Sequence, residues 1–192
     1  MALAAITAGQ ESKNQDFYKV RSQLHREVNG ASLTATASVK EKNAAMVEIK
    51  WSIKYTGSRQ PLTILKPSLQ FRTSGQTKLI VYAGSATGLI HEMRMASPTP
   101  PVPEGRPVYP GTKDWFLTIP RGKSGTGTIE ISLAGLKQYF LKHWPKRFDV
   151  NKPQSLRIQL VHTPTDRGEH FSLDAWTGTL YSPVVKVDVN KW

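Results

Sequence analysis

Basic and aromatic side chains alternate most densely in one stretch of the chain. Lys137, Lys142, His143, Lys146, Arg147 and Lys152 are interleaved there with Tyr139, Phe140, Trp144 and Phe148. Cations neutralise phosphates or sulfates, and an exposed ring such as that of Trp144 stacks on a base or a sugar. Lys137, Lys142, His143, Trp144, Lys146, Arg147 and Lys152 are therefore the candidate site for a polyanion, either nucleic acid or acidic polysaccharide. The plainer explanation is an amphipathic helix, with Leu136, Phe140 and Trp144 on its inner side and the lysines in water.

A second concentration of reactive side chains follows. His162, Asp166, Glu169 and His170, with Asp174 beyond them, are ligand types for a divalent cation, although their spacing matches no established metal motif. These four are the metal candidates, and with them comes the alternative of a metal-dependent hydrolase. A polar loop between strands holds the same residue types for turn formation. His91, Met93 and Met95 would share one face of a strand and suit a soft metal, or simply fill a gap in a core.

Other catalytic chemistries find no support. The run Arg-Gly-Lys-Ser-Gly-Thr-Gly at 121–127 contains the Gly-Lys-Ser of a phosphate loop but lacks the glycine five residues before Gly122, and no helical period follows it. It reads as a hairpin turn. There is no Gly-x-Ser-x-Gly elbow for a serine nucleophile, and nothing pairs Asp114 or Glu130 with a second carboxylate for glycoside hydrolysis. No catalytic residue is assigned, and no cofactor is implied.

Composition narrows the partners more than the chemistry. The 192 residues include 26 Lys and Arg against 14 Asp and Glu, a net charge of +12 with a pI near 10.0. That balance favours polyanions or simply keeps the chain in solution, because the positive charge is spread evenly along it. The absence of cysteine removes disulfides, thiol catalysis and Cys-ligated metals. No apolar run approaches the ~18 residues that span a bilayer, so no transmembrane segment is expected. The opening Met-Ala-Leu-Ala-Ala-Ile-Thr-Ala-Gly lacks the positive leader and long apolar stretch of a secretory signal.

The elements that must position these residues read mainly as strands. Ala45, Val47, Ile49, Trp51, Ile53 and Tyr55 alternate with Met46, Glu48, Lys50, Ser52 and Lys54, the period of two of a strand with one wet face. Similar texture predicts strands over 31–38, 62–65, 68–72, 78–83, 88–95, 112–119, 126–133, 155–162, 169–175 and 181–189. One helix is expected over 133–144, capped by Ser132 and stopped by Pro145. Six prolines between Pro98 and Pro110 mark a proline-rich loop near 96–111. Residues 1–30 read as a polar arm and 31–192 as a single domain.

Strands at short spacing, with little helix between them, predict an all-β, antiparallel two-layer sandwich. The closing segments sharpen this. The Gly-Thr-Ile-Glu-Ile-Ser-Leu strand, the helix, the Leu-Arg-Ile-Gln-Leu strand, and then Trp176, Gly178, Leu180, Ser182, Val185, Val187 and Val189 resemble the ends of immunoglobulin-like β-sandwich modules of secreted bacterial proteins. The resemblance covers about the last 70 residues, implies the fold and an extracytoplasmic setting, and carries no catalytic residues. The expected function is a non-catalytic interaction or ligand-binding module whose partner is a protein or a polysaccharide. The basic patch and the hydrolase are its alternatives.

Overall fold

The computed structural model describes residues 19, 27–40, 46–58, 61–68, 77–84, 90–96, 115–143, 154–164 and 173–189, of which 83, 84, 90–96, 143 and 154 are described through their backbone only. In chain order the elements are β1 (Ala31–Val39), β2 (Met46–Tyr55), β3 (Leu62–Leu65), β4 (Thr77–Gly84), β5 (Ile90–Ala96), β6 (Phe116–Ile119) and β7 (Ser124–Ser132). They are followed by α1 (Leu133–His143), β8 (Gln154–His162), β9 (Leu180–Tyr181) and β10 (Val185–Val189). The described strands form three sheets, β1-β2-β7, β10-β8-β4-β5 with β9 also on β8, and β3-β6. Each pairing is antiparallel. The all-β antiparallel class follows directly.

The alternation in β2 has its predicted result. Val47, Ile49, Trp51, Ile53 and Tyr55 are buried, whereas Lys50 and Lys54 on the other face are exposed. Trp51 stands opposite Ala35 of β1 and Gly127 of β7. Small neighbours make room for the indole, and a Cβ on Gly127 would lie 2.3 Å from it. This glycine is a packing requirement in mid-strand, a place where glycine otherwise weakens a sheet.

One apolar cluster joins the three sheets and the helix. It contains Leu33, Ile49 and Ile129 from the first sheet, Leu79, Ile158, Leu160 and Val187 from the second, Ile64 and Ile119 from the third, and Leu136 and Phe140 from α1. The second sheet is also covered on its other face, where Ile80, Tyr82 and Val161 form a separate buried group. Gln159 lies on that face, buried, accepting a hydrogen bond from the Tyr82 hydroxyl at 3.0 Å and donating to the Ser182 carbonyl at 2.9 Å. A polar residue can occupy a covered face only when matched in this way.

Helix α1 starts where its cap residue predicts, with the Gly135 N–H donating to the Ser132 hydroxyl at 3.3 Å. Leu133, Leu136 and Phe140 form its buried side.

Two expected strands differ. Of the stretch 169–175, the described residues 173–175 are not in a strand; the segment is tied to β3 by the Trp176 N–H, which donates to the Thr63 carbonyl at 2.6 Å. The stretch 181–189 is divided into β9 and β10. Pro183 has no N–H to continue the ladder, and the Ser182 hydroxyl takes over locally, accepting from the Leu160 N–H at 2.9 Å and donating to the Pro183 carbonyl at 2.8 Å.

The entry to β1 is also tighter than a polar arm suggests. Val28 and Ala31 exchange both backbone hydrogen bonds, at 2.8 and 2.9 Å, around Asn29 and Gly30, whose φ values are 49° and 76°. Asn-Gly with two positive φ angles is a two-residue hairpin turn.

No helix among the described residues is long and apolar enough to cross a membrane. The proline-rich segment predicted near 96–111 lies outside the described residues except for Ala96, the last residue of β5.

Candidate functional site

Only part of the basic patch falls on described elements. Lys137 is half-buried and Lys142 exposed on α1. Five residues apart on a helix, they diverge by about 140° around its axis, so they do not share a face. His143 is described by its backbone alone, while Trp144, Lys146, Arg147 and Lys152 lie outside the described residues.

The metal candidates are separated in the same way. Asp166, Glu169 and His170 lie outside the described residues. His162 is fully buried at the end of β8, opposite Thr77 in the register of β4. Its Nε2–H donates to the Leu65 carbonyl at 2.7 Å, and its Nδ1 accepts from the Thr77 hydroxyl at 3.0 Å. The same hydroxyl accepts the Ser68 N–H at 3.1 Å. This chain fixes the neutral imidazole with its proton on Nε2. Burial lowers the His162 pKa from 6.5 to about 4, against the opposing effect of the Leu65 carbonyl. A ligand role for this ring would require at least one of its two hydrogen bonds to be given up. Among the described residues, no group of three or more His, Asp or Glu side chains is gathered to hold a metal.

A cavity lies elsewhere, at the end of the first sheet where β1 begins and β2 ends. It encloses about 770 Å³ and is walled by four short segments: the 27–30 turn, residues 55–58 leaving β2, residues 61–63 entering β3, and residues 174–177. A volume of this order accommodates a small organic ligand.

Each wall is positioned by backbone chemistry. The Thr56 N–H donates to the Gly30 carbonyl at 2.7 Å, holding the hairpin turn against the end of β2. A Cβ on Gly30 would lie 2.3 Å from the Gly57 Cα, so the two backbones meet without side chains between them. The Tyr55 ring lies over Gly57 and is itself almost fully buried, at 2% exposure. Its backbone is held by the neighbouring turn, with Gly122 N–H donating to the Tyr55 carbonyl at 2.7 Å. Opposite, the bond from Trp176 to Thr63 fixes the 174–177 wall, and the Trp176 ring lies against Gly178.

The chemistry of the lining is acidic, aromatic and hydroxylic. Glu27 and Asp174 are exposed carboxylates, Tyr55 and Trp176 supply the rings, and Thr56, Ser58, Thr63 and Thr177 supply hydroxyls. Glu27 lies 3.4 Å from the Thr56 hydroxyl, which also reaches the Gly30 carbonyl at 3.2 Å. No lysine, arginine or histidine among the described residues lines the cavity. Trp176 Nε1 is buried without a hydrogen-bond partner, a condition it shares with Trp51 Nε1.

Of these walls, only Asp174 is singled out by the sequence, as a ligand type beyond the four metal candidates. Tyr55 reads as the last core position of its strand, and Glu27 and Asn29 fall in the polar arm. The legible signals were the turn pairs themselves, Asn29-Gly30 and Gly57-Ser58, which bring β1 and β2 to the same end of the sheet.

Comparison with known proteins adds no identity. No protein-family model and no curated protein matches the chain. Among solved structures, a Bordetella pertussis protein provisionally assigned as ApaA aligns with 84% of this chain and 93% of its own. The two are 9% identical with a TM-score of 0.33, a similarity too low to bear on fold or function.

Proposed function

We propose that this chain is a non-catalytic ligand-binding module, a two-layer β-sandwich of immunoglobulin-like type whose ligand enters the cavity between the 27–30, 55–58, 61–63 and 174–177 segments. The observation that supports it is the cavity itself: about 770 Å³ at the strand ends, with aromatic walls and several polar groups. Its described lining contains carboxylates, hydroxyls and aromatic residues, the polar groups that fix the orientation of a bound small molecule. The sandwich reading is supported by the apolar cluster common to the β1-β2-β7 and β10-β8-β4-β5 sheets and by the packing of β1 against β8, β9 and β10.

The test is a thermal-unfolding screen of small ligands on the chain and on Ser58→Trp, a substitution at an exposed lining residue that fills the cavity mouth. A true ligand at a hundred times its Kd stabilises by about 2.7 kcal/mol. For a chain of this length that raises the midpoint by roughly 5–10 °C, and Ser58→Trp removes the shift. A ligand whose shift survives Ser58→Trp binds elsewhere and contradicts the proposal.

A further inference from the structure

The outward face of the first sheet is charged unevenly along its length. Where β2 begins and β7 finishes, Glu48 and Glu130 stand opposite each other in register, and both are matched: Lys40 pairs with each, and Lys50 lies 3.2 Å from Glu48. The opposite end is different. Among the described residues Lys54, Arg121 and Lys123 are exposed there and make no ion pair. Glu27 lies on the β1 side of β2, at the Thr56 hydroxyl, whereas the 120–123 turn adjoins β7 on the other side. We infer that this unpaired basic end is a docking surface for an acidic polysaccharide, a chain bearing sulfate or carboxylate groups, independent of the cavity and its ligand.

Backbone chemistry gathers the three cations. Pro120 to Lys123 form a turn closed by the Lys123 N–H, which donates to the Pro120 carbonyl at 3.0 Å, and Gly122 supplies the positive φ, 74°, that the third position of such a turn requires. The turn is tied to the end of β2 from both sides, Gly122 N–H donating to the Tyr55 carbonyl at 2.7 Å and Tyr55 N–H to the Lys123 carbonyl at 3.1 Å. Lys54 precedes Tyr55 and stands opposite Ser124. Lys54 and Arg121 therefore each have their Cα within about 10 Å of that of Lys123, a span their long side chains cover. A Cβ on Gly122 would meet nothing within 4 Å, so the tip stands in open space.

Beside this tip the face offers hydroxyls and no rings. A groove of about 360 Å³ crosses the three strands between the row Thr34, Ser52, Thr126 and the row Thr36, Lys50, Thr128. Hydroxyls donate and accept, as do those of a sugar, and cations make charge-assisted bonds to sulfate or carboxylate. The outward positions described in β1, β2 and β7 hold no aromatic residue, and Trp51 and Tyr55 are buried on the inner face. A single-stranded nucleic acid gains affinity by stacking its bases on rings; here its phosphates alone would be held. The charge of +12 draws an anionic polymer to the chain, and the cations without partners decide where it settles.

The test is binding of the full chain to heparin and to alginate across a salt series, with dextran as the neutral arm and single-stranded and duplex DNA as the other polyanions. Heparin is expected to bind and to be released by salt, and dextran is not expected to bind. In the triple variant Lys54→Gln, Arg121→Gln, Lys123→Gln the affinity should fall on the order of tenfold or more, and the slope of log affinity against log salt should drop by about two to three, roughly one for each cation removed. The triple variant Lys78→Gln, Lys137→Gln, Lys142→Gln removes the same charge from exposed or half-buried positions on β4 and α1 and should leave the affinity within about threefold. Alginate binding with the same dependence on the three cations extends the surface to carboxylates, and heparin binding without it narrows the recognised group to sulfate; both support the inference. Equal losses in the two triple variants place the attraction in net charge and overturn it. Binding to neither polysaccharide, or tighter binding of either DNA than of both at the same salt, also overturns it.

Discussion

His162 and Trp176 lie fourteen residues apart in the chain, and the structure treats them in opposite ways. The imidazole is drawn inside, where both ring nitrogens are matched and the Thr77 hydroxyl links it to Ser68. The segment around Trp176 has its backbone matched to Thr63, but its side chains wall a cavity and the indole nitrogen has no partner. A polar group whose bonds are all made within the fold contributes to stability and has little left with which to meet a ligand. The contrast separates a strut from a site, although residue type alone would assign them the other way round.

The largest expected effect therefore lies at the strut. His162→Ala leaves the Leu65 carbonyl and the Thr77 hydroxyl without their buried partner and opens a void, which costs about 2–4 kcal/mol by urea denaturation. Ligand binding in the surviving folded fraction should be unaltered. A variant that keeps its stability but loses binding would exchange the two roles.

The pH dependence has a definite sign. The His162 pKa falls from 6.5 to about 4 on folding. Between those values the unfolded chain binds more protons, so stability declines as pH drops through this window and the contribution is exhausted below about 4. Its ceiling is about 3 kcal/mol, from 1.36 kcal/mol per pKa unit. The difference in stability between wild type and His162→Gln, measured from pH 7 to 4, isolates this component from that of the carboxylates. A difference that does not change with pH would remove the buried imidazole from the account.

Two smaller effects sharpen the comparison. Gly127→Ala drives a Cβ into the Trp51 ring and should cost about 1–3 kcal/mol in a thermal or chemical melt. Glu27→Gln, at an exposed position lining the cavity, should alter stability by no more than about 0.5 kcal/mol. Equal losses of stability from both would mean that the cavity wall is as structural as the core.

Much of the fold was legible and little of the site, for a common reason. Alternation identifies a strand with one wet face, so β2 and its buried Trp51 could be read directly, and Ser132 with the Leu133, Leu136, Phe140 spacing marked the helix. β8 is covered on both faces, so Gln159, in register with Ser155 and Arg157, looks solvent-facing until the partners that bury it are known, and His162 stands in register with Leu156, Ile158 and Leu160, where alternation places it in the core without naming its partners. Those partners are distant in sequence. The cavity needs four segments from Glu27 to Thr177 brought to one sheet end, and local periodicity carries no such information. The Asn29-Gly30 turn was the exception, a local signal absorbed into the reading of an arm.

The most direct measurement is the thermal shift produced by the best-binding small ligand of the screen on wild type and on Ser58→Trp in parallel. The unliganded midpoints should agree within about 1–2 °C, as for a surface substitution, while the ligand-induced shift should be present in wild type and absent in the variant. An undiminished shift in Ser58→Trp would place the ligand outside this cavity and contradict the proposed function.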